Sequence, residues 1–513
     1  MSDQVQSTPA KGEQRSGRAK VTAGEERAIL PLPKATVDFI KLFLSQDDLP
    51  DLPWLHDVVN SHLQSLYQAK SEHGTYAPII RIMNRISIEA YKIYHKGIPS
   101  QTPRCGLPAK DPLLPAIVFV DSHKTNPPDD LFNTNVSPDI LAYWCDVEDL
   151  MAYSPPVKLA TTSEEMTADL TEGWSLVEAV LEAKPAKRDN SMQVVHYVDI
   201  LMRYRPDKSR VLSLTSNQKS FAFYTADACG TNCSERFEWK TNIPHILRFI
   251  YTLYSRPHQD PSFPLDQPLL TERQPKWEFN FLNKRYRVSP FFARKGPGRR
   301  TWLAAGTQVG TKDFRVVKDM WRDVGRRYEE GALLDRIHAK GCVPGVVRVA
   351  EKGPILTDDR TPLKTRPIHY RDGGQAADNS LEVPSDALTR EKQRLIMGSS
   401  GSRLSSCKTV LHFLKVMYDT LEGVYMFCLF FLFRLMFSFL VHQHLAELGV
   451  LHRDISWYNV LCNPKHYIGT NSQENRAGRH YIGEILCVTI IISDGSFRRI
   501  LFPEAKCTPN LTA

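Results

Sequence analysis

A second pair of closely spaced cysteines, long blocks of one charge and an apolar leader are all missing from this chain of 513 residues. Its ten cysteines are scattered from Cys105 to Cys507, which suits a reducing compartment rather than a disulfide framework. Cys229 and Cys233 form a lone C-x-x-x-C. Zinc needs four ligands, and no second pair stands at metal spacing, so these two read as buried or loop thiols. The formal net charge of +8 is mild for this length, and no Lys/Arg block exists to hold nucleic acid. Met1 to Lys20 is polar without an apolar core, which argues against a secretory signal. The expected setting is intracellular, cytoplasmic or nuclear.

What is present points to packed domains. Apolar residues make up 42% of the chain, enough to bury cores, and the length predicts more than one domain. Residues 1–30 are polar and small, and read as a disordered arm. Residues 31–130 read as a helical region and a Pro-rich linker. Phe39, Leu42 and Phe43, then Ile79, Ile82 and Ile86, recur at helical spacing over Ala35 to Tyr94, predicting two or three helices. Ala116 to Val120 is a short strand among turn formers. Residues 131–285 read as a mixed α/β region. Met192 to Met202 and Ile243 to Tyr254 are its helices. Val211 to Leu214 and Phe221 to Tyr224 are strands turned around Asn217-Gln218-Lys219.

The most specific stretch is Leu451-His452-Arg453-Asp454-Ile455-Ser456-Trp457-Tyr458-Asn459-Val460-Leu461. It is H-R-D, four residues, Asn, then an apolar pair, the spacing of a protein-kinase catalytic loop. Phosphoryl transfer needs a carboxylate to orient the attacking hydroxyl and take its proton. It also needs an amide oxygen to hold a metal on the phosphates. Asp454 and Asn459 are the residues for those two tasks.

Upstream, Gly296-Pro297-Gly298 sits between two apolar runs, where backbone N–H groups can approach phosphates. Thr301 stands where a third glycine is usual, and an ordinary turn is the alternative. Phe314 to Lys318 reads as a strand ending in the ammonium that binds the inner phosphates of ATP; the alternative is a surface lysine. A helix over Trp321 to Lys340 follows. Glu330 shares a face with Leu334 and Ile337 and is the carboxylate expected to fix Lys318, with Glu329 second. Gly345 to Val349 is the next expected strand, 351–392 a loop insertion, and Arg394 to Met397 a strand leading into an adenine-holding hinge at Gly398 to Gly401. Thr409 to Leu421 is an amphipathic helix.

The string Gly449 to Ser456 with Asn459, and Val316 to Asp323 followed by Glu329-Glu330-Gly331, resemble the fungal-type protein kinases. The resemblance covers about residues 190–485. It implies an α+β, bilobal protein kinase-like domain over 286–513, preceded by the mixed α/β region. It also implies ATP, Mg2+ and a protein substrate of unknown identity. Gly296, Gly298, Lys318 and Met397 would bind ATP, and Asn459 with Asp494 the metal.

Two features depart from that pattern. There is no D-F-G; Ile490-Ile491-Ile492-Ser493-Asp494-Gly495 is a partial mimic. The chain ends at Ala513, so the large lobe is expected to be truncated. The second feature is the apolar run 424–441. Its twelve Leu, Phe and Val residues favour membrane insertion by about 4 to 7 kcal/mol, against a cost of about 3 for Arg434. A span there would separate Lys318 from Asp454, which must share one ATP. The other readings are a buried apolar helix and a translated intron, whose removal joins Gly423 to His442. The functional readings left open are an ATP-dependent protein kinase, a catalytically dead pseudokinase or interaction protein, and a small-molecule phosphotransferase. A membrane protein comes last.

Overall fold

Residues 39–96 build three helices that contribute Phe39, Phe43, Val59, Leu63, Ile79 and Ile86 to one core. The structure is a computed structural model. It describes most of 39–96 and 115–150, all of 173–184, 191–264, 276–325, 329–339, 347–365 and 389–398, and a few short strands beyond. Helix α1 spans Phe39–Phe43, α2 Leu55–Gln68 and α3 His73–Lys96. In α2 the buried residues are Leu55, Val59, Leu63 and Leu66, at steps of four, four and three.

The described residues divide into two compact units. One comprises those within 1–311, 318–325 and 354–394, the other those within 312–317, 326–353 and 395–513.

The first unit contains a seven-stranded sheet. Its strands are β1 (Ala116–Asp121), β2 (Ile140–Cys145), β3 (Val177–Ala183), β4 (Val211–Ser216), β5 (Ser220–Asp227) and β6 (Gly230–Cys233) in that order, with β7 (Phe237–Glu238) paired to β5. Neighbours are antiparallel except β3 and β4, which are parallel. A parallel pair needs a crossover, and α4 (Ser191–Tyr204) supplies it.

Alternate residues point to opposite faces. Ile117, Phe119, Leu181, Leu212, Leu214, Phe221 and Phe223 join one core with α1 to α3 and α5 (Ile243–Ser255). Val118, Val120, Val180, Val211, Ala222 and Tyr224 join another with α4. Asn217 closes the β4–β5 hairpin, its Oδ1 accepting the N–H groups of Lys219 and Ser220 at 2.8 Å each. The helices and hairpin expected over 192–254 are present, each slightly longer than read.

The second sheet has the order β12-β14-β11-β10-β9-β8, with β13 paired to β14. These strands are β8 (Trp277–Phe281), β9 (Lys284–Ala293), β10 (Trp302–Gln308), β11 (Phe314–Asp323), β12 (Val349–Pro354), β13 (Lys364–Thr365) and β14 (Arg390–Met397). Helix α6 is Glu330–His338. Lys318–Asp323 and Arg390–Arg394 belong to the first unit; Phe314–Val317 and Leu395–Met397 belong to the second. In β10, a Cβ on Gly306 would stand 2.0 Å from the Arg287 carbonyl oxygen, so only glycine lets β9 and β10 approach there.

Several expected boundaries move. The helix read over Trp321 to Lys340 is a strand to Asp323 and a helix only from Glu330. Val316 to Trp321 are all buried, so β11 is covered on both faces and lacks the alternation that marks a strand. The strand read at Gly345 to Val349 is instead Val349–Pro354. Its Glu, Lys, Gly and Pro suit an edge strand, which is where β12 lies. The strand read from Arg394 begins at Arg390. The insertion read as 351–392 is ordered at both ends. Thr357 N–H bonds the Thr361 carbonyl at 2.8 Å, and β13 pairs Lys364 with Glu391. The mixed α+β class holds. Among the described residues no helix is long and apolar enough to cross a membrane. The arm at 1–30, the helix at 409–421 and the apolar run 424–441 lie outside the described residues.

Candidate functional site

Lys318 sits in the middle of β11, not at its end, and is 3% exposed. A surface lysine is therefore not what the fold presents. A buried ammonium is held only where charge or hydrogen bonds meet it. Lys318 and Asp319 are consecutive strand residues, so they point to opposite faces.

Asp319 meets a buried counter-charge. Arg394 of β14 donates from Nε and Nη2 to its two carboxylate oxygens, at 2.7 Å each. The guanidinium also donates to Ser262 Oγ at 3.0 Å and lies 3.8 Å from the Phe279 ring centre. Burial opposes the charge on Arg394, yet Asp319 and Asp260 raise its pKa above the ordinary value. Two residues earlier on β14, Lys392 donates to Asp260 at 2.5 Å and to the Pro206 carbonyl at 2.7 Å. Burial would push the Asp260 carboxyl up, but Lys392 and Arg394 hold it below its usual range.

The segment between β9 and β10 carries Gly296 at φ 77° and Gly298 at φ 108°, a region of backbone space that favours glycine. Gly296 N–H donates to the Asp199 carboxylate of α4 at 2.9 Å, and Gly298 N–H to the Ala228 carbonyl at 2.8 Å. Arg300 donates to the same Asp199 oxygen at 3.1 Å and to the Asp227 carbonyl at 3.0 Å. Trp321 N–H reaches the Arg299 carbonyl at 2.7 Å, tying the loop to β11. The loop's two glycine amides are thus engaged by the N-terminal region rather than open to solvent. One of them faces an anion, which is the chemistry a phosphate would present.

In the second unit, Glu330 opens α6 and is buried with Leu333, Leu334 and Ile337, whereas Glu329 is half-buried. A carboxylate in the first helical turn is favoured by the helix dipole. A Cβ on Gly331 would lie 2.5 Å from Lys352 Cδ, so α6 packs close to β12. Met397 ends β14 and is 1% exposed; Gly398 N–H then bonds the Arg348 carbonyl at 3.1 Å.

Asp454, Asn459 and Asp494 lie outside the described residues. The short strands Leu451–His452 and Val460–Cys462 take in the two ends of the catalytic-loop motif, its histidine and its apolar pair. Leu451–His452 pairs with Ile490–Ile491, the apolar run that precedes Asp494. Among the described residues no cluster of three metal-capable side chains occurs. Cys229 is half-buried with its sulfur 3.2 Å from Thr365 Oγ1, and burial together with Asp227 pushes its thiol up to about 11, away from a reactive thiolate.

Sequence reading missed Asp199, Asp260, Asp319, Lys392 and Arg394. Asp319 lay inside the Val316 to Asp323 string and Arg394 opened an expected strand, but no spacing signal marked any of the five as partners.

Counted from β9, the third strand carries a buried lysine and a helix opening on a buried glutamate follows. That order is kinase-like. The profile of the family described as "Fungal protein kinase" matches residues 156–479, more than half of the chain. The chain belongs to the fungal protein kinase family. No curated protein matches it.

Proposed function

We propose that this protein is an ATP-dependent protein kinase, transferring a phosphoryl group to a protein hydroxyl. The observation that carries the reading is Lys318, buried in a central strand of the second sheet. Bound ATP with Mg2+ would supply the transferable phosphoryl group and neutralise its charge. Lys318 fits the inner phosphates, because a buried ammonium gains more from an anion than an exposed one. Gly296 and Gly298 are the further phosphate contacts, and a phosphate there competes with Asp199 for the Gly296 amide.

Sequence order assigns the remaining roles within the family. Glu330 is the carboxylate expected to orient the lysine, and Met397 the residue before the adenine-holding hinge. Asp454 orients the acceptor hydroxyl and takes its proton. Asn459 would hold Mg2+, and Asp494 would be the second metal ligand in place of the usual D-F-G aspartate. A bilobal domain over 286–513 is part of the same proposal.

The test is transfer of radiolabel from γ-labelled ATP to a generic protein acceptor or to the chain itself. Asp454→Ala should abolish it and leave ATP binding nearly intact. Transfer retained by that variant would remove Asp454 from the assignment.

A further inference from the structure

We propose that Asp319 and Arg394, with Lys392, Asp260 and Ser262 behind them, are positioning residues that aim the Lys318 ammonium. The proposal rests on the reading of Lys318 as the phosphate-binding lysine. It adds a role for the segment before the kinase-like strands, for which the sequence offered none.

The geometry carries it. A strand displays successive side chains on opposite faces, so fixing Asp319 on one face fixes where Lys318 points on the other. A slip of β11 by one residue against β14 would turn Lys318 to the wrong face. The Arg394 fork resists such a slip. It is fully buried and bidentate to Asp319 at 2.7 Å and 2.7 Å, and its third nitrogen is taken by Ser262. Its plane lies against Phe279. No rotation of the guanidinium keeps all of these contacts.

Lys392 extends the clamp. Alternation along β14 puts it on the same face as Arg394, and its Nζ lies 3.7 Å from Asp319 as well as bonding Asp260. Asp260 in turn accepts the Ser262 N–H at 2.8 Å and hydroxyl at 2.6 Å, and its own N–H bonds the Asp207 carbonyl at 2.7 Å. Two cations and two carboxylates thus cancel in a buried cluster. One carboxylate comes from the segment after α5 and the other from the residue after Lys318. Burying four charges stabilises no more than apolar packing would, so stability alone does not explain the cluster. A fixed strand register does.

The experiment measures Kd for ATP–Mg2+ and for adenosine on the full chain, in wild type, Lys318→Met, Asp319→Asn, Arg394→Lys and Ser262→Ala. The ratio of the two affinities reads the phosphate contact and is blind to adenine binding. The expected result is a fall in that ratio of at least about tenfold in Asp319→Asn and Arg394→Lys, matching Lys318→Met, with adenosine affinity unchanged. Ser262→Ala, which removes the hydroxyl's two hydrogen bonds, from Arg394 and to Asp260, should lower the ratio about two- to threefold. A ratio held at the wild-type value in Arg394→Lys and Ser262→Ala while Lys318→Met loses it would overturn the inference and leave the kinase reading standing. Equal loss of ATP and adenosine would overturn it too, showing a merely structural brace. A wild type with no phosphate advantage, or one untouched by Lys318→Met, would overturn both.

Discussion

Asp319 and Arg394 are 75 residues apart in sequence and meet through both oxygens and two nitrogens in a buried, aromatic-walled position. A pair of this kind is costly to break from one side, because the survivor is left charged and dry. Arg394→Met alone and Asp319→Leu alone should each lose about 3–5 kcal/mol of stability. The double variant should lose clearly less than their sum. Denaturant unfolding of the three variants checks this; strict additivity would mean the two side chains do not depend on each other.

Glu182 of β3 gives a pH prediction. Burial, then the charge of Asp139, push its carboxyl up to about 8, against the opposing pull of Lys184 at 2.9 Å. The folded value lies above the ordinary 4.5, so folding favours the protonated acid. That contribution is complete below about pH 4.5 and is lost as pH rises through about 8. Glu182→Gln should therefore leave stability nearly unchanged at pH 5 and raise it at pH 8.5 by on the order of 1–3 kcal/mol. Melting curves across that range decide it, and a wild type whose melting point falls no more steeply than the variant's would refute it.

The loop contact of Asp199 predicts opposite effects on stability and nucleotide binding. Asp199→Asn weakens the grip on Arg300, which is 8% exposed, and should cost about 1–3 kcal/mol of stability. It also withdraws the anion that competes for the Gly296 amide, so the folded protein should bind ATP more tightly, by a few-fold. Calorimetric titration below the melting point measures this. Weaker ATP binding by the variant would mean that Asp199 supports the loop in its binding form.

In the first sheet β1, β4 and β5 were legible, with the helices α4 and α5, whereas β2, β3, β6 and β7 were not read. The strong apolar face of α5 and the Asn217 turn are local signals, and local signals survive in sequence. The second sheet was harder, for three physical reasons. β11 is buried on both faces, so its alternation disappears and its last residues look helical. β12 and the first half of β14 are rich in charge, and charged residues enter strands there only because an edge position or a distant counter-ion allows it. The β8–β9 turn places Leu282 and Asn283 at φ 46° and 63° without a glycine, so the usual hairpin signature is absent. At the site, Lys318 was legible as a strand residue and Glu330 as an inward helix residue, from the apolar run before the first and the steps to Leu334 and Ile337 after the second. The Asp319 partner was not, since nothing local ties residue 319 to residue 394.

The central claim is that Lys318 binds the phosphates of ATP, and thermal unfolding with and without ATP–Mg2+ tests it most directly. For a ligand at 100 times its Kd, binding stabilises the folded state by about 2.7 kcal/mol. The account predicts a clear upward shift in melting temperature for the full chain, dependent on both ATP and Mg2+, and a much smaller shift for Lys318→Met. No shift in the wild type, or the same shift in both proteins, would contradict it.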